Sequence, residues 1–273
     1  MTLLVLGGAG MLGRAFAGLG RSELRSLRRE DFELGHSDPF ELLERQRPQL
    51  VINCAAYTEV DKAEAEPERA HLVNAAAVGK LAEACQSVGS GLIHFSTDYV
   101  FDGSANVPYE PDAPKRPINV YGQTKSDGED LALQSGAELL IVRTSWVFAP
   151  WGRNFVRTMG ELLRTRPEVR VVADQVGCPT YAPDLAARAL ALYESNVRGV
   201  AHVTNGPPVS WYEFAVAIQE AQGSDAQIIP VPSADFPRPA PRPHYSVLSS
   251  TSGRGIGEAL PDFRKHLPAA LGL

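Results

Sequence analysis

The sequence predicts an α/β fold, a doubly wound parallel sheet with helices on both faces. Short apolar or β-branched runs alternate with helical stretches along the chain. The first such run leads straight into a glycine-rich turn, and 273 residues suffice to bury one large core or two modest ones. Strands are expected at 3–6, 23–27, 50–53, 91–95, 138–142, 169–172, 200–203 and 228–231. Helices are expected at 11–18, 39–46, 68–88, 121–134, 154–164, 184–195 and 211–222. Right-handed crossovers between such strands gather the loops at their C-terminal ends around one crevice.

The opening run, Leu3-Leu4-Val5-Leu6, reads as a short buried strand, and Gly7, Gly10 and Gly13 follow it with Gly-x-x-Gly-x-x-Gly spacing. Glycine permits the tight turn, a close backbone approach to a pyrophosphate and close helix-to-strand packing. The helix that opens at Met11 and Leu12 offers unpaired N–H groups to phosphate. After the second strand comes Arg28-Arg29-Glu30-Asp31. The arginines favour the 2′-phosphate of NADPH, while Glu30 or Asp31 opposes it, so the expected cofactor is NADPH with NADH tolerated. The third strand ends in Ala55-Ala56-Tyr57, small residues that let a flat nicotinamide riboside lie on the backbone or let a helix pack tightly.

The fourth strand ends in Ser96-Thr97-Asp98. Loops at the C-terminal ends of strands are where α/β sheets place their sites, and Thr97 can donate a hydrogen bond to a substrate carbonyl. Ser96 points the opposite way in a strand. Tyr121 and Lys125, four residues apart in a helix, share one face. A phenol is protonated near neutrality and can donate to a developing alkoxide, and a neighbouring ammonium favours the phenolate left behind. Lys125 can also bond a ribose hydroxyl, so Tyr121 and Lys125 count as cofactor-binding as well as catalytic. A glycine loop joined to such a pair points to a nicotinamide-dependent reductase. Thr124 and Asp127 suit the first turn of this helix. Ser210-Trp211-Tyr212-Glu213 is a capping box for the helix that follows. The stretch 230–243 holds six prolines and is either a linker or an irregular pocket wall.

Composition narrows the function further. The chain is 44% hydrophobic and 21% charged with a net charge of −6, which argues against a nucleic-acid or anionic-membrane partner. Its three cysteines form neither a disulfide framework nor a zinc pattern and suit a cytoplasmic location. Ala15-Phe16-Ala17 resembles a signal-peptide cleavage site, but the basic segment that should precede it is missing.

These features resemble the extended short-chain dehydrogenase/reductases. Longer phrases narrow the resemblance: 55–64, 96–103, Asn119-Val120-Tyr121-Gly122, Arg143-Thr144-Ser145-Trp146-Val147 and 174–180 are similar to the dTDP-4-dehydrorhamnose reductases, in order along nearly the whole chain. That family implies hydride transfer to C4 of dTDP-4-dehydro-L-rhamnose, with Thr97 polarising the keto oxygen, Tyr121 protonating it and Lys125 supporting Tyr121. It further implies Thr58, Asp98, Tyr99, Trp146, Asn154 and Thr180 around the substrate, a dTDP-sugar. Trp146 could offer a flat apolar face or could be core. The expected architecture is a Rossmann-like domain, 1–145 plus 182–204, with a smaller C-terminal α/β substrate-binding domain, 146–181 plus 205–273. A homodimer is the assembly to test, and no carboxylate cluster marks a metal site. Two features need structural placement: the proline-rich 107–117, readable as a lid, and 249–254, which lacks the Lys-Leu that the family carries. Two alternatives share this machinery: a reductase or epimerase of another nucleotide sugar, and a regulatory subunit resembling the β subunit of methionine adenosyltransferase.

Overall fold

Apolar runs too short for a helix and flanked by turn residues become the buried strands of a central sheet. The computed structural model describes residues 2–250 and 259–273, so the departure at 249–254 lies mostly outside the described residues. The first half of the chain carries β1 (Leu3–Leu6), α1 (Met11–Ala17), β2 (Leu24–Leu27), α2 (Pro39–Gln46), β3 (Leu50–Asn53), α3 (Val60–Ala63), α4 (Pro67–His71), α5 (Ala77–Val88), β4 (Gly91–Thr97), α6 (Val120–Gln134) and β5 (Leu139–Thr144). The second half carries β6 (Val147–Phe148), α7 (Phe155–Thr165), β7 (Glu168–Val172), β8 (Val176–Gly177), β9 (Thr180–Tyr181), α8 (Ala182–Glu194), β10 (Gly199–His202), β11 (Val209–Ser210), α9 (Trp211–Gln222), β12 (Gln227–Val231) and α10 (Leu267–Leu271).

Six strands form one all-parallel sheet in the order β2-β1-β3-β4-β5-β10. The chain runs outward from β1 to β2, then crosses back to β3, so a crevice opens between the C-terminal ends of β1 and β3. Successive residues of each strand alternate between two cores. Leu3, Val5, Ile52, Ile93 and Val142 pack with Phe16 of α1 and with Leu185 and Ala189 of α8. Leu4, Leu6, Val51, Leu92 and Ile141 pack with Leu42 and Leu43 of α2 and with Val78 and Leu81 of α5. Burial on both faces is why these strands read as unbroken apolar runs.

A third core is made by Phe148, Val156, Met159, Val169, Val171, Phe214, Ile218, Phe263 and Leu267. Here β7 and β12, which the periodicity marks like the other strands, stay out of the central sheet and pair with each other in parallel. Among the described residues no helix is long and apolar enough to cross a membrane.

The single helix expected at 68–88 is broken into α4, a π-helical turn over Leu72–Ala76, and α5. The turn re-aims Asn74, which is fully buried and clamps three groups. Its Oδ1 accepts the Tyr57 N–H at 2.9 Å, and its Nδ2 donates to the Tyr57 carbonyl at 3.0 Å and to Thr124 Oγ1 at 3.2 Å. Such π turns recur at functional sites.

Helix α6 starts one residue earlier than its apolar pattern indicates because Asn119 caps it, accepting the Gly122 N–H at 2.7 Å. Thr124 and Asp127 do not cap the first turn as expected. Thr124 donates back to the Tyr121 carbonyl at 2.9 Å, and Asp127 accepts from Gln123 at 2.7 Å. Gly128 lets this helix come close, since a Cβ there would sit 2.0 Å from the Asn74 carbonyl.

A buried ion pair then ties α6 to the sheet. Arg143 of β5 donates to both carboxylate oxygens of Glu129, at 2.8 and 2.7 Å, and to the Pro111 carbonyl at 3.0 Å. Burial is the largest influence on Glu129 and opposes its ionisation, but the hydrogen bonds and charge of Arg143, with Ser96 and Lys115, together hold the carboxyl below its usual range. The same cluster fastens 107–117: Lys115 bonds the Ser126 carbonyl at 2.9 Å, and Tyr109 exchanges backbone bonds with Val247 and Ser249 at 2.8 and 2.9 Å. That segment is held at several points along its length.

Arg143→Met leaves the buried Glu129 charge with only the Lys115 ammonium, at 3.4 Å, as a partner. Urea unfolding is expected to give a loss of about 3–5 kcal/mol, most of it recovered in the double variant Glu129→Leu/Arg143→Met. Equal losses in the single and double variants would contradict the pairing.

Candidate active site

The glycine turn fits the crevice at the end of β1. Gly7 has φ +79°, and a Cβ on it would fall 2.8 Å from the Ala55 backbone nitrogen. A Cβ on Gly13 would come 2.3 Å from the Gly7 carbonyl, so only glycine allows α1 to pack on the turn. Gly10 is extended and caps α1 without any side-chain acceptor, leaving the first N–H groups of the helix unclaimed by a cap. Met11 and Leu12 are half-buried against the β1–β3 core, and the Met11 carbonyl accepts from the Trp151 indole at 3.0 Å.

A cavity of about 240 Å³ opens beside this turn. Gly7, Gly10, Ala55, Ala56 and Tyr57 form one side, with Phe32, Leu34 and Val73 as apolar lining. Arg29 and Arg69 are its cations. Arg28 is not in the wall. It is exposed near Glu30, and the Asp31 carboxylate is occupied by the Arg28 N–H at 2.9 Å. The balance read from two arginines and two acids therefore becomes Arg29, paired with Glu33, and Arg69, whose guanidinium lies over the Tyr57 ring at 5.8 Å. Arg69 carries no local motif and reaches the cavity only because α4 folds back over Tyr57.

Thr97, Tyr121 and Lys125 come together where β4 meets α6. Strand β4 runs through Thr97, so Ser96 and Thr97 point to opposite sides, as expected. Thr97 Oγ1 accepts the Tyr99 N–H at 3.2 Å and donates to Asp98 Oδ1 at 3.0 Å. Burial pushes the Tyr121 phenol up to about 12, while hydrogen bonding to the Thr97 hydroxyl opposes that rise. Tyr99 meets Tyr121 edge-on, with ring centres 5.9 Å apart.

Lys125 is 2% exposed and bonded away from solvent. Its amine donates to the Phe95 carbonyl at 2.7 Å and lies 3.3 Å from His94 Nε2. Asn53 Oδ1 accepts the Ala55 N–H at 3.1 Å, which turns the Asn53 amide nitrogen toward His94 Nδ1, also at 3.1 Å. An amide nitrogen only donates, so this network assigns His94 the tautomer with hydrogen on Nε2, facing Lys125. That contact favours an uncharged amine. Burial drives Lys125 the same way, down to about 8, with Glu129 opposing. Lys125 is thus a titrating amine rather than the fixed ammonium that its spacing suggests. His94 and Asn53, which link the lysine to the β3 crevice, gave no signal beyond their place in apolar strands.

A second cavity, of about 700 Å³, begins at Tyr99. Phe155, Met159 and Trp211 give it an apolar side, and Arg170, Arg238 and Arg242 a cationic one. The proline-rich stretch is its wall, through Pro237, Ala240 and Pro241. Asp61 of α3 fastens that wall, accepting from Arg238 at 3.2 Å and from Arg242 at 2.5 Å. Asn119 reinforces it by donating to the Pro241 carbonyl at 2.8 Å.

Of the substrate residues implied by resemblance, Tyr99 lines this cavity and Asp98 is buried beside Thr97. Trp146 has φ +46° and stacks face to face on Trp211, with ring centres 3.5 Å apart. Trp211, rather than Trp146, lies in the cavity wall. Asn154 spends its amide on the backbone, accepting the Arg157 N–H at 3.2 Å to cap α7 and donating to the Ala149 carbonyl at 2.9 Å. Thr180 is fully buried and bonds the Cys178 carbonyl at 3.3 Å. Thr58 is exposed in the loop after β3.

A family model described as the RmlD substrate binding domain matches residues 1–272. A dTDP-4-dehydrorhamnose reductase of Mycolicibacterium smegmatis is 47% identical over 81% of this chain and 69% of its own length. One from Burkholderia thailandensis is 40% identical over 97% and 96%. The crystal structure of dTDP-4-dehydrorhamnose reductase from Bacillus anthracis in complex with NADP superposes with a TM-score of 0.93, at 34% identity and 98% coverage of both chains. With a match along its whole length and these relatives, the chain belongs to the RmlD family, that of the dTDP-4-dehydrorhamnose reductases.

Proposed function

We propose that this protein reduces the 4-keto group of dTDP-4-dehydro-L-rhamnose to give dTDP-L-rhamnose, with NADPH as reductant. The observation that carries the reading is the convergence of Thr97 and Tyr121 beside Tyr99, where the arginine-lined cavity begins. Their family relatives bear that activity in their names, and one was crystallised with NADP.

Each residue takes one task. Gly7, Gly10 and Gly13, with Ala55, Ala56 and Tyr57, hold the dinucleotide close to the backbone, and Met11 and Leu12 open the helix that faces its phosphates. Arg29 and Arg69 take the 2′-phosphate. A bound reduced nicotinamide supplies the hydride. Tyr121 gives its proton to the keto oxygen as hydride reaches C4, and the phenolate recovers a proton from solvent. A phenol held near 12 is almost wholly protonated at neutral pH, so the donor is always loaded. Thr97 steadies the developing charge. Lys125 holds the ribose and, when protonated, lowers the cost of the phenolate. Arg170, Arg238 and Arg242 take the diphosphate, and Trp211 and Phe155 present flat faces to base and sugar.

Supplying dTDP-4-dehydro-6-deoxy-glucose with a 3,5-epimerase is expected to drive loss of absorbance of reduced nicotinamide. GDP- or UDP-linked keto sugars are expected to give far slower turnover, and faster turnover with either would reassign the substrate. Tyr121→Phe is expected to lower kcat by about 10²–10⁴-fold while the NADPH Kd, from fluorescence titration, stays within about twofold. Wild-type activity in that variant would end the assignment. The double variant Arg29→Ala/Arg69→Ala is expected to lower kcat/KM for NADPH by about 10–100-fold and to leave NADH nearly unaffected. Equal losses for both cofactors would remove the arginines from 2′-phosphate recognition.

A further inference from the structure

The Thr97 hydroxyl has one hydrogen and two lone pairs. One lone pair accepts the Tyr99 N–H at 3.2 Å, and the hydrogen goes to Asp98 Oδ1 at 3.0 Å. In that arrangement the second lone pair faces the Tyr121 phenol, and no hydrogen is left for the substrate. A lone pair facing a carbonyl oxygen repels it, yet the proposed reaction needs a donor there. The two demands are met together when the Asp98 carboxyl supplies a hydrogen of its own, which leaves the threonine hydrogen free to turn to the substrate.

We propose that Asp98 is a positioning residue for Thr97: protonated, it donates to Thr97 Oγ1 and frees the threonine hydrogen for the substrate oxygen, and ionised, it keeps that hydrogen for itself. The proposal rests on the reductase reading above. Asp98 is placed for such a role. It is 2% exposed, its Oδ2 has no hydrogen-bond partner, and no cation pairs with it among the described residues. The groups facing it are neutral in the working pH range: Tyr99 on its own turn, Tyr121 from α6, Cys178 between β8 and β9, and the Ser246 hydroxyl from the C-terminal segment. Burial pushes the carboxyl up to about 6, against the pull of the Ser246 and Thr97 hydroxyls, so both forms occur near neutrality.

The test is the pH profile of kcat/KM for the sugar nucleotide between pH 5 and 7.5, a range below the titration of Lys125. Initial rates are followed with NADPH and excess 3,5-epimerase. The wild type is expected to fall by more than about tenfold as pH rises across this range, as a single group titrating near 6 requires. Asp98→Asn, whose amide can always donate to Thr97, is expected to be flat. Thr97→Val, with no hydroxyl to direct, is expected to be slower by about 10²–10³-fold and also flat. A fall in Asp98→Asn parallel to that of the wild type would overturn the proposal. So would a persisting fall in Thr97→Val, which decides the matter alone if circular dichroism shows Asp98→Asn to be unfolded. An active wild type with a flat profile also refutes the coupling while leaving the reductase reading intact. No reduction by the wild type at any pH overturns both.

Discussion

The site depends on where helix α6 sits against the sheet. Tyr121, Lys125 and Glu129 recur at four-residue intervals and so form one stripe along a single helical face. Glu129 locks the stripe to β5 through Arg143, Lys125 fastens it to the backbone of β4, and Tyr121 at its upper end meets Thr97. Buried ion pairs add little net stability because desolvation offsets their attraction. Here the Glu129–Arg143 pair sets the height of the helix, and the absence of a side chain at Gly128 permits its depth.

Low polarity around that stripe governs the chemistry. Burial raises the Tyr121 phenol and the Asp98 carboxyl and lowers Lys125 and His94, so each group is pushed toward its uncharged form. Tyr121 and His94 therefore rest uncharged, while Asp98 and Lys125 are brought close enough to neutrality to change charge there. Charge is concentrated instead at the rims, where Arg29 and Arg69 flank one cavity and Arg170, Arg238 and Arg242 the other. Anionic ends of ligands meet cations, while the reacting centre meets a neutral phenol.

Much of this was legible in the sequence, for identifiable reasons. The sheet strands, the glycine turn and the Tyr121–Lys125 spacing are local patterns, and local patterns survive translation into structure. The breaks are equally physical. The π turn over Leu72–Ala76 is invisible because no proline interrupts 68–88, and the turn aims Asn74 at partners 17 and 50 residues away. Arg69 and Trp211 sit on amphipathic helices and read as ordinary helix positions until another element packs beside them. The Trp146 stack on Trp211 is likewise a contact between distant elements that no local pattern announces, while the Asn154 cap of α7 is a local contact. The wall character of 230–243 was one of two readings and became definite only through Asp61, nearly two hundred residues earlier in the chain.

That long-range tie has a bearing on how specificity can evolve. The proline-rich wall lies late in the chain, but Asp61 and Asn119 from the first half hold its arginines and backbone in place. Exchanging the late segment between relatives would therefore transplant a surface without its moorings. New sugar preferences should arise through coordinated changes in distant stretches, with substitutions near Asp61 accompanying those between Arg238 and Arg242.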